Sequence, residues 1–372
     1  MPDANQDASK TLYLHIGRPK TGTSALQAFL SANENELKRR NILYPKAPTH
    51  KRAASGQTTA GNGAFISLHL DGSKADVTNK HWESFVEQLD YWHGPMVLSS
   101  ERFANRAKIQ LPILIEKAKQ FGRPVKIVVY LRPQLEALAS AYSEMIKRQK
   151  FTEGITKFYE SDPSRFQYLP FMRMLETVAG KENLLVRPYA KDAFLNGSLF
   201  DDFLNLIGVH DSESFVSPEK FVNRSLSQLE GELLRKLNAL EVDVDALVEM
   251  LEQYPKSASS EPLKVTPELA ERVRQTYEEE NATIAEQYFE GKDWLSRPAN
   301  AGEVEAPNIS PEVLMLAVMA ADLAKKHKEQ ERYLTRLSRQ LGNFEKWRER
   351  RKDKSGEGAA KPGKRAAPAS KK

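Results

Sequence analysis

The 372-residue sequence contains no cysteine. Disulfides, thiolate catalysis and cysteine-based zinc sites are therefore excluded. Nor does it contain an apolar run long enough to cross a bilayer. Its hydrophobic content of 40% supports a real core, and its 28% of charged residues suits a soluble protein. The first residues, Met1 to Asp7, are acidic and polar, unlike a secretory signal, so a cytoplasmic location is the expectation.

The chain also lacks an even spread of charge. Residues 325–372 hold 17 Lys and Arg against 6 Asp and Glu, a local balance of +11. With +5 for the whole chain, about −6 is left for everything before them. General affinity for polyanions therefore belongs to the tail. A basic site in the main body has to be local.

One stretch offers such a site. Thr11 to Ile16 read as a buried strand, and Leu26, Phe29 and Leu30 have the apolar spacing of a helix. Between them lie Gly17, Arg18, Pro19, Lys20, Thr21, Gly22, Thr23 and Ser24. A strand, a glycine-containing turn and a helix N-terminus form an anion cradle, because unpaired N–H groups and the helix dipole face the ligand. Thr23 or Ser24 is the expected N-cap. The turn is not a Walker A loop, in which lysine follows the second glycine; here Lys20 precedes Gly22.

The rest of the chain alternates strands with helices. Asn41–Pro45, Pro95–Ser100, Val125–Leu131 and Asn183–Pro188 read as strands, and Lys46 to Gly63 as a long loop. Helices are expected up to about Arg40, over His81–Tyr91, over Ile109–Phe121, after Pro133 and over Leu199–Ile207. This alternation argues for an α/β fold, a parallel β-sheet flanked by helices. In such sheets ligands bind beyond the carboxyl ends of the strands, where Gly17, Glu101, Arg132 and Tyr189 fall.

Residues 227–288 have a polar helical pattern. The expected divisions are a disordered 1–10, a main domain over 11–297, a linker over 298–310, a long helix over 311–351 and a disordered basic tail over 352–372. Along the long helix, Leu316, Ala320, Leu323, His327, Gln330, Leu334, Leu337, Leu341 and Phe344 alternate spacings of four and three, as in a coiled-coil seam. A homodimer through this helix is one expectation. A weak polyanion or membrane-surface contact through the basic tail is another.

Arg132 leaves the most apolar strand, and Ser140 lies eight residues on. A guanidinium fork and a hydroxyl donor in that arrangement suit a phosphate. Taken with Lys20, Thr21, Gly22, Thr23 and Ser24, this pair resembles sulfotransferases that use PAPS (3′-phosphoadenosine 5′-phosphosulfate). Ser99–Glu101, Val186–Lys191 and Asn223–Ser227 resemble the bacterial branch of that family. The resemblance spans about residues 11–290 and implies a P-loop-like sulfotransferase fold.

It also implies transfer of a sulfuryl group from PAPS to a hydroxyl or amine, on a carbohydrate or glycan, with no metal required. Arg18, Lys20, Thr21, Gly22, Thr23 and Ser24 would hold the 5′-phosphosulfate, and Arg132 and Ser140 the 3′-phosphate. Lys20 and Glu101 would be catalytic, Glu101 as the base. A structural pairing of Glu101 with Lys20 or Arg132 stays open, and His15, His81 and His93 are weaker bases. Ala25 stands where relatives often carry an aromatic for adenine. The alternatives are a P-loop-type nucleotide kinase or NTPase, and a non-enzymatic polyanion-binding protein acting through its tail.

Overall fold

The computed structural model describes residues 10–18, 20–57, 59–217, 225–253, 260–297 and 307–354. Much of the expected disordered N-terminus, linker and basic tail, and residues Asn223 and Arg224 of the third family-like piece, lie outside them.

The chain opens with β1 (Leu12–Ile16), α1 (Thr23–Ala32), α2 (Glu34–Arg39), α3 (His50–Ala54), α4 (Ala64–Leu70) and α5 (Asp76–Tyr91). Then come β2 (Met96–Ser100), α6 (Arg102–Asn105), α7 (Ala107–Gln120), β3 (Val125–Leu131) and α8 (Gln134–Gln149). After α9 (Ile155–Ser161) and α10 (Leu169–Ala179), β4 (Leu184–Pro188) and α11 (Leu199–Leu206) complete the alternating part. The helices α12 (Gln228–Ala239), α13 (Asp245–Gln253), α14 (Pro267–Tyr288) and α15 (Pro311–Lys354) follow.

The four strands form one parallel sheet in the order β2-β1-β3-β4. The fold class is therefore α/β, a parallel sheet flanked by helices, with a long C-terminal helix. Period-two alternation sorts the strand side chains. Leu12, Leu14 and Ile16 join Leu98, Ile127 and Val129 in a core covered by α5, α7 and α10. Tyr13, Val97, Val128 and Tyr130 face the other way, onto α1 and α11. A third core forms where α8 meets α9, α12, α13 and α14.

Several elements differ from the sequence expectation. The first helix does not run to Arg40 but breaks at Asn33. There the Asn33 amide donates to Phe29 and Val216 carbonyls and accepts from the Val216 N–H, tying the break to a distant segment. The expected strand at Asn41–Pro45 contributes a single parallel bridge, Leu43 to Met96. The expected loop from Lys46 to Gly63 contains the short α3, which packs against α1.

The long helix α15 docks on α12 and α13 through its own first turns. Ala317, Ala321 and Ala324 are buried, and Lys325 and Lys328 pair with Asp243 and Glu249. Leu316, Leu323, Leu334, Leu341 and Phe344, read as a seam, remain exposed. The helix was expected; its docking through alanine was not.

Candidate active site

The strand order reverses around β1. The chain passes from β2 across β1 to reach β3, so the connections after β1 and β3 diverge and leave a crevice at their carboxyl ends. The loop between β1 and α1 lies on one side of it. Arg132 and the start of α8 lie on the other.

The loop has an unusual backbone. Lys20 and Gly22 both take positive φ, 67° and 71°. At Gly22 a side chain is also excluded by space, since a Cβ would lie 2.7 Å from Leu199 Cδ2 and 2.8 Å from Tyr189. For Lys20 the left-handed conformation is sparsely populated and held by its surroundings. Arg132 Nη1 donates to the Lys20 carbonyl at 2.9 Å, and Thr21 Oγ1 donates to the Arg18 carbonyl at 2.8 Å.

Two sequence expectations change here. The N-cap of α1 is Gly22, not Thr23 or Ser24, and no side chain caps the helix. The first-turn N–H groups are therefore left for an external acceptor. Thr21 was expected to face a ligand, but it is buried and its hydroxyl is spent on closing the loop. The Arg18 Nε is buried without a hydrogen-bond partner. The Arg18 guanidinium stacks on Phe171 and Tyr168 at 4.9 and 5.1 Å, and burial lowers its pKa.

Lys20 does not stand free. Its Nζ donates to Glu144 Oε2 at 2.7 Å. Glu144 in turn contacts Lys147 at 3.5 Å and Arg148 at 3.6 Å, and both of those bind Glu252 at 2.8 Å. Burial works to raise the Glu144 carboxyl. The hydrogen bond from Lys20, with the charges of Lys20, Lys147 and Arg148, outweighs it and brings the pKa below the ordinary value.

On the opposite wall Arg132 Nε pairs with Glu136 at 3.2 Å, and its guanidinium lies 5.4 Å from the Tyr189 ring. The Tyr168 hydroxyl donates to the Arg132 carbonyl at 2.7 Å. Glu136, Ser140 and Glu144 follow at four-residue steps on α8 and share one face. Arg132 and Lys20 bind the two ends of that row, so Ser140, which is buried, lies between them along it. Glu144 was missed in the sequence. Its one trace in the sequence is its place four residues beyond Ser140 on the same helical face, which does not show its pairing with Lys20.

Glu101 caps β2 at the mouth of the crevice and reaches solvent. A Cβ on Gly17 would lie 2.5 Å from Thr23 Oγ1 and 2.8 Å from Glu101 Cγ, so loop and carboxylate are pressed together. Desolvation of the Glu101 carboxyl against the loop raises its pKa. The Lys20 charge and a hydrogen bond from the Thr23 hydroxyl offset part of this, and the Glu144 charge adds to it.

The three histidines are placed differently. His15 is fully buried in β1, where Nδ1 lies 2.9 Å from Ser99 Oγ and burial lowers the pKa to about 3. It belongs to the core. His93 precedes β2, at the amino ends of the strands and across the sheet from the crevice. His81 Nε2 meets the Asn62 carbonyl at 3.2 Å and borders a surface crevice with Lys46, Asp76 and Lys80. In the basic segment before it, His50 and Lys46 pair with Glu34.

No family model and no curated protein matches the chain. Among solved structures, a sulfotransferase from Alicyclobacillus acidocaldarius is similar at 15% identity and TM-score 0.36. That likeness covers 67% of this chain and 98% of the other. A structure from the PezAT toxin–antitoxin system of Streptococcus pneumoniae is similar at 13% identity and TM-score 0.28, covering 63% of this chain and 87% of its own. Scores this low fix neither fold nor activity.

Proposed function

We propose that the chain is a PAPS-dependent sulfotransferase. The observation that carries this reading is the junction of two anion-binding elements. The uncapped start of α1, with Lys20, is joined to Arg132 by the 2.9 Å bond from Nη1 to the Lys20 carbonyl. A donor with phosphate groups on both the 3′ and the 5′ position of its ribose needs two such elements at a fixed separation.

The residues present suit such a donor. The first turn of α1 carries no side-chain cap, and the buried Arg18 Nε lacks a partner. PAPS, when bound, supplies a sulfuryl group activated on a phosphate. Lys20 leaves Glu144 for the oxygen that gains charge, together with the N–H groups opening α1. Arg132 and Ser140 hold the 3′-phosphate, which fixes the donor's position. Glu101 accepts the proton of the incoming hydroxyl, for which a raised pKa is an advantage. Tyr189, beside Gly22 and under Arg132, offers an aromatic face near the site that Ala25 does not. The acceptor we assign is a carbohydrate hydroxyl, on the Glu101 pattern of the resemblance.

A nucleotide kinase is the competing reading, and the 3′-phosphate decides between them. Calorimetry with PAP, ADP and magnesium-ADP should give binding of PAP that is at least about tenfold tighter, since one charge-assisted phosphate contact contributes about 1.5–3 kcal/mol. Equal affinities, or a requirement for magnesium, would replace this reading with the kinase.

A further inference from the structure

The exposed apolar stripe of α15 is a feature that a donor site does not use. Leu316, Met319, Leu323, Tyr333, Leu334, Leu341, Phe344 and Trp347 are each half or more exposed. At 3.6 residues per turn, Ala317, Ala321 and Ala324, which dock on the body, lie roughly 80–160° round the helix from Leu316 and Leu323. From Leu316 to Phe344 it runs for about four heptads, or roughly 43 Å.

We infer that this stripe pairs with the same stripe of a second copy of this chain, as a parallel, in-register coiled coil. The inference stands independently of sulfuryl transfer. Three observations carry it. First, the stripe continues past the docking residues Ala317, Ala321 and Ala324 and stays exposed at Leu334, Leu341 and Phe344, within reach of a partner helix. Second, the flanking positions match. Lys326 precedes a core position and Glu331 follows one, five residues on, so Lys326 faces Glu331 of the partner subunit and no like charges oppose each other in these rows. Third, parallel register sets the two polar layers, His327 and Gln330, against themselves and spares the leucines a polar neighbour.

A lipid surface fits the same stripe less well. Arg332, Arg339 and Lys346 project from the far side of the helix. Membrane-lying helices carry their cations where they can reach the headgroups. Those three residues occupy the outer, solvent-facing row of a coiled coil.

The absence of native cysteine makes the test clean. Sedimentation equilibrium of the full chain should return twice the 42.1 kDa chain mass. Leu334→Glu with Leu341→Glu, both at exposed positions, should return the single-chain mass with the circular dichroism and thermal midpoint of the body unchanged. Leu341→Cys should form an interchain disulfide under mild oxidation, whereas Arg339→Cys, on the outer row, should not. A wild type that sediments as a monomer overturns the proposal. So does a dimer that survives the double substitution, or one in which Leu341→Cys fails to cross-link. Recruitment of a monomer to vesicles of phosphatidylserine and phosphatidylcholine would give the stripe to the membrane instead.

Discussion

Lys20 answers to two partners. In this structure its ammonium holds Glu144 at 2.7 Å, and in the proposed reaction it must hold a phosphate oxygen. The carboxylate therefore occupies the charge position that a donor would take. Glu144→Gln keeps the shape and removes the competing charge. PAP affinity should rise about threefold to tenfold, consistent with a partly exposed pair worth near 1 kcal/mol. Calorimetry reads this directly, and an unchanged or weaker affinity would show that Glu144 positions Lys20 and does not compete for it. Glu101 is the complementary case. Glu101→Gln should lower turnover by about 10²–10⁴-fold with PAP affinity near normal. In the wild type, turnover should fall as acid protonates Glu101, with a midpoint above the ordinary carboxylate value, because the surrounding protein raises that pKa. A midpoint at or below that value would remove Glu101 as the base. Lys20, Arg132 and Glu101 were legible one at a time, since each ends or follows a strand. Glu144 was not, because recognising its role needs the distance between two segments 124 residues apart.

At the scale of elements, the strands were the easiest to read and the termini of helices the hardest. Val125–Leu131 is almost wholly apolar, and a strand buried on both faces leaves that signature. The start of α1 was misplaced, because Thr23 and Ser24 are good caps in general, whereas this loop reaches left-handed φ at Gly22 and ends there. The element with the sharpest stability consequence is β1. His15 is neutral in the core with a pKa near 3, against 6.5 for a free histidine. The unfolded chain therefore binds a proton that the folded chain refuses between those values. Stability should be fully present above pH 6.5 and fall as the pH drops towards 3. His15→Gln should flatten that fall, read as the loss of the thermal midpoint between pH 7.5 and pH 5. An equally steep loss in the variant would assign the acid sensitivity to other groups.

For the molecule as a whole, the layered α/β plan was readable from alternation alone, and the crevice follows from the strand order β2-β1-β3-β4. That order could not be read locally, since pairing is set by contacts between segments far apart in the chain. The C-terminal helix shows the same limit. Its heptads were visible, but the small alanines that bind it to α12 and α13 leave little trace in hydrophobic spacing. The central claim is that the loop after β1 and the arginine after β3 serve one donor. Binding of PAP by wild type, Lys20→Ala, Arg132→Ala and the double variant tests it most directly. Each single change should weaken PAP by about tenfold to 150-fold, as a lost charge-assisted phosphate contact does. The double variant should show coupling between the two, because Arg132 also holds the Lys20 backbone. PAP affinity unchanged in both folded single variants would contradict the account.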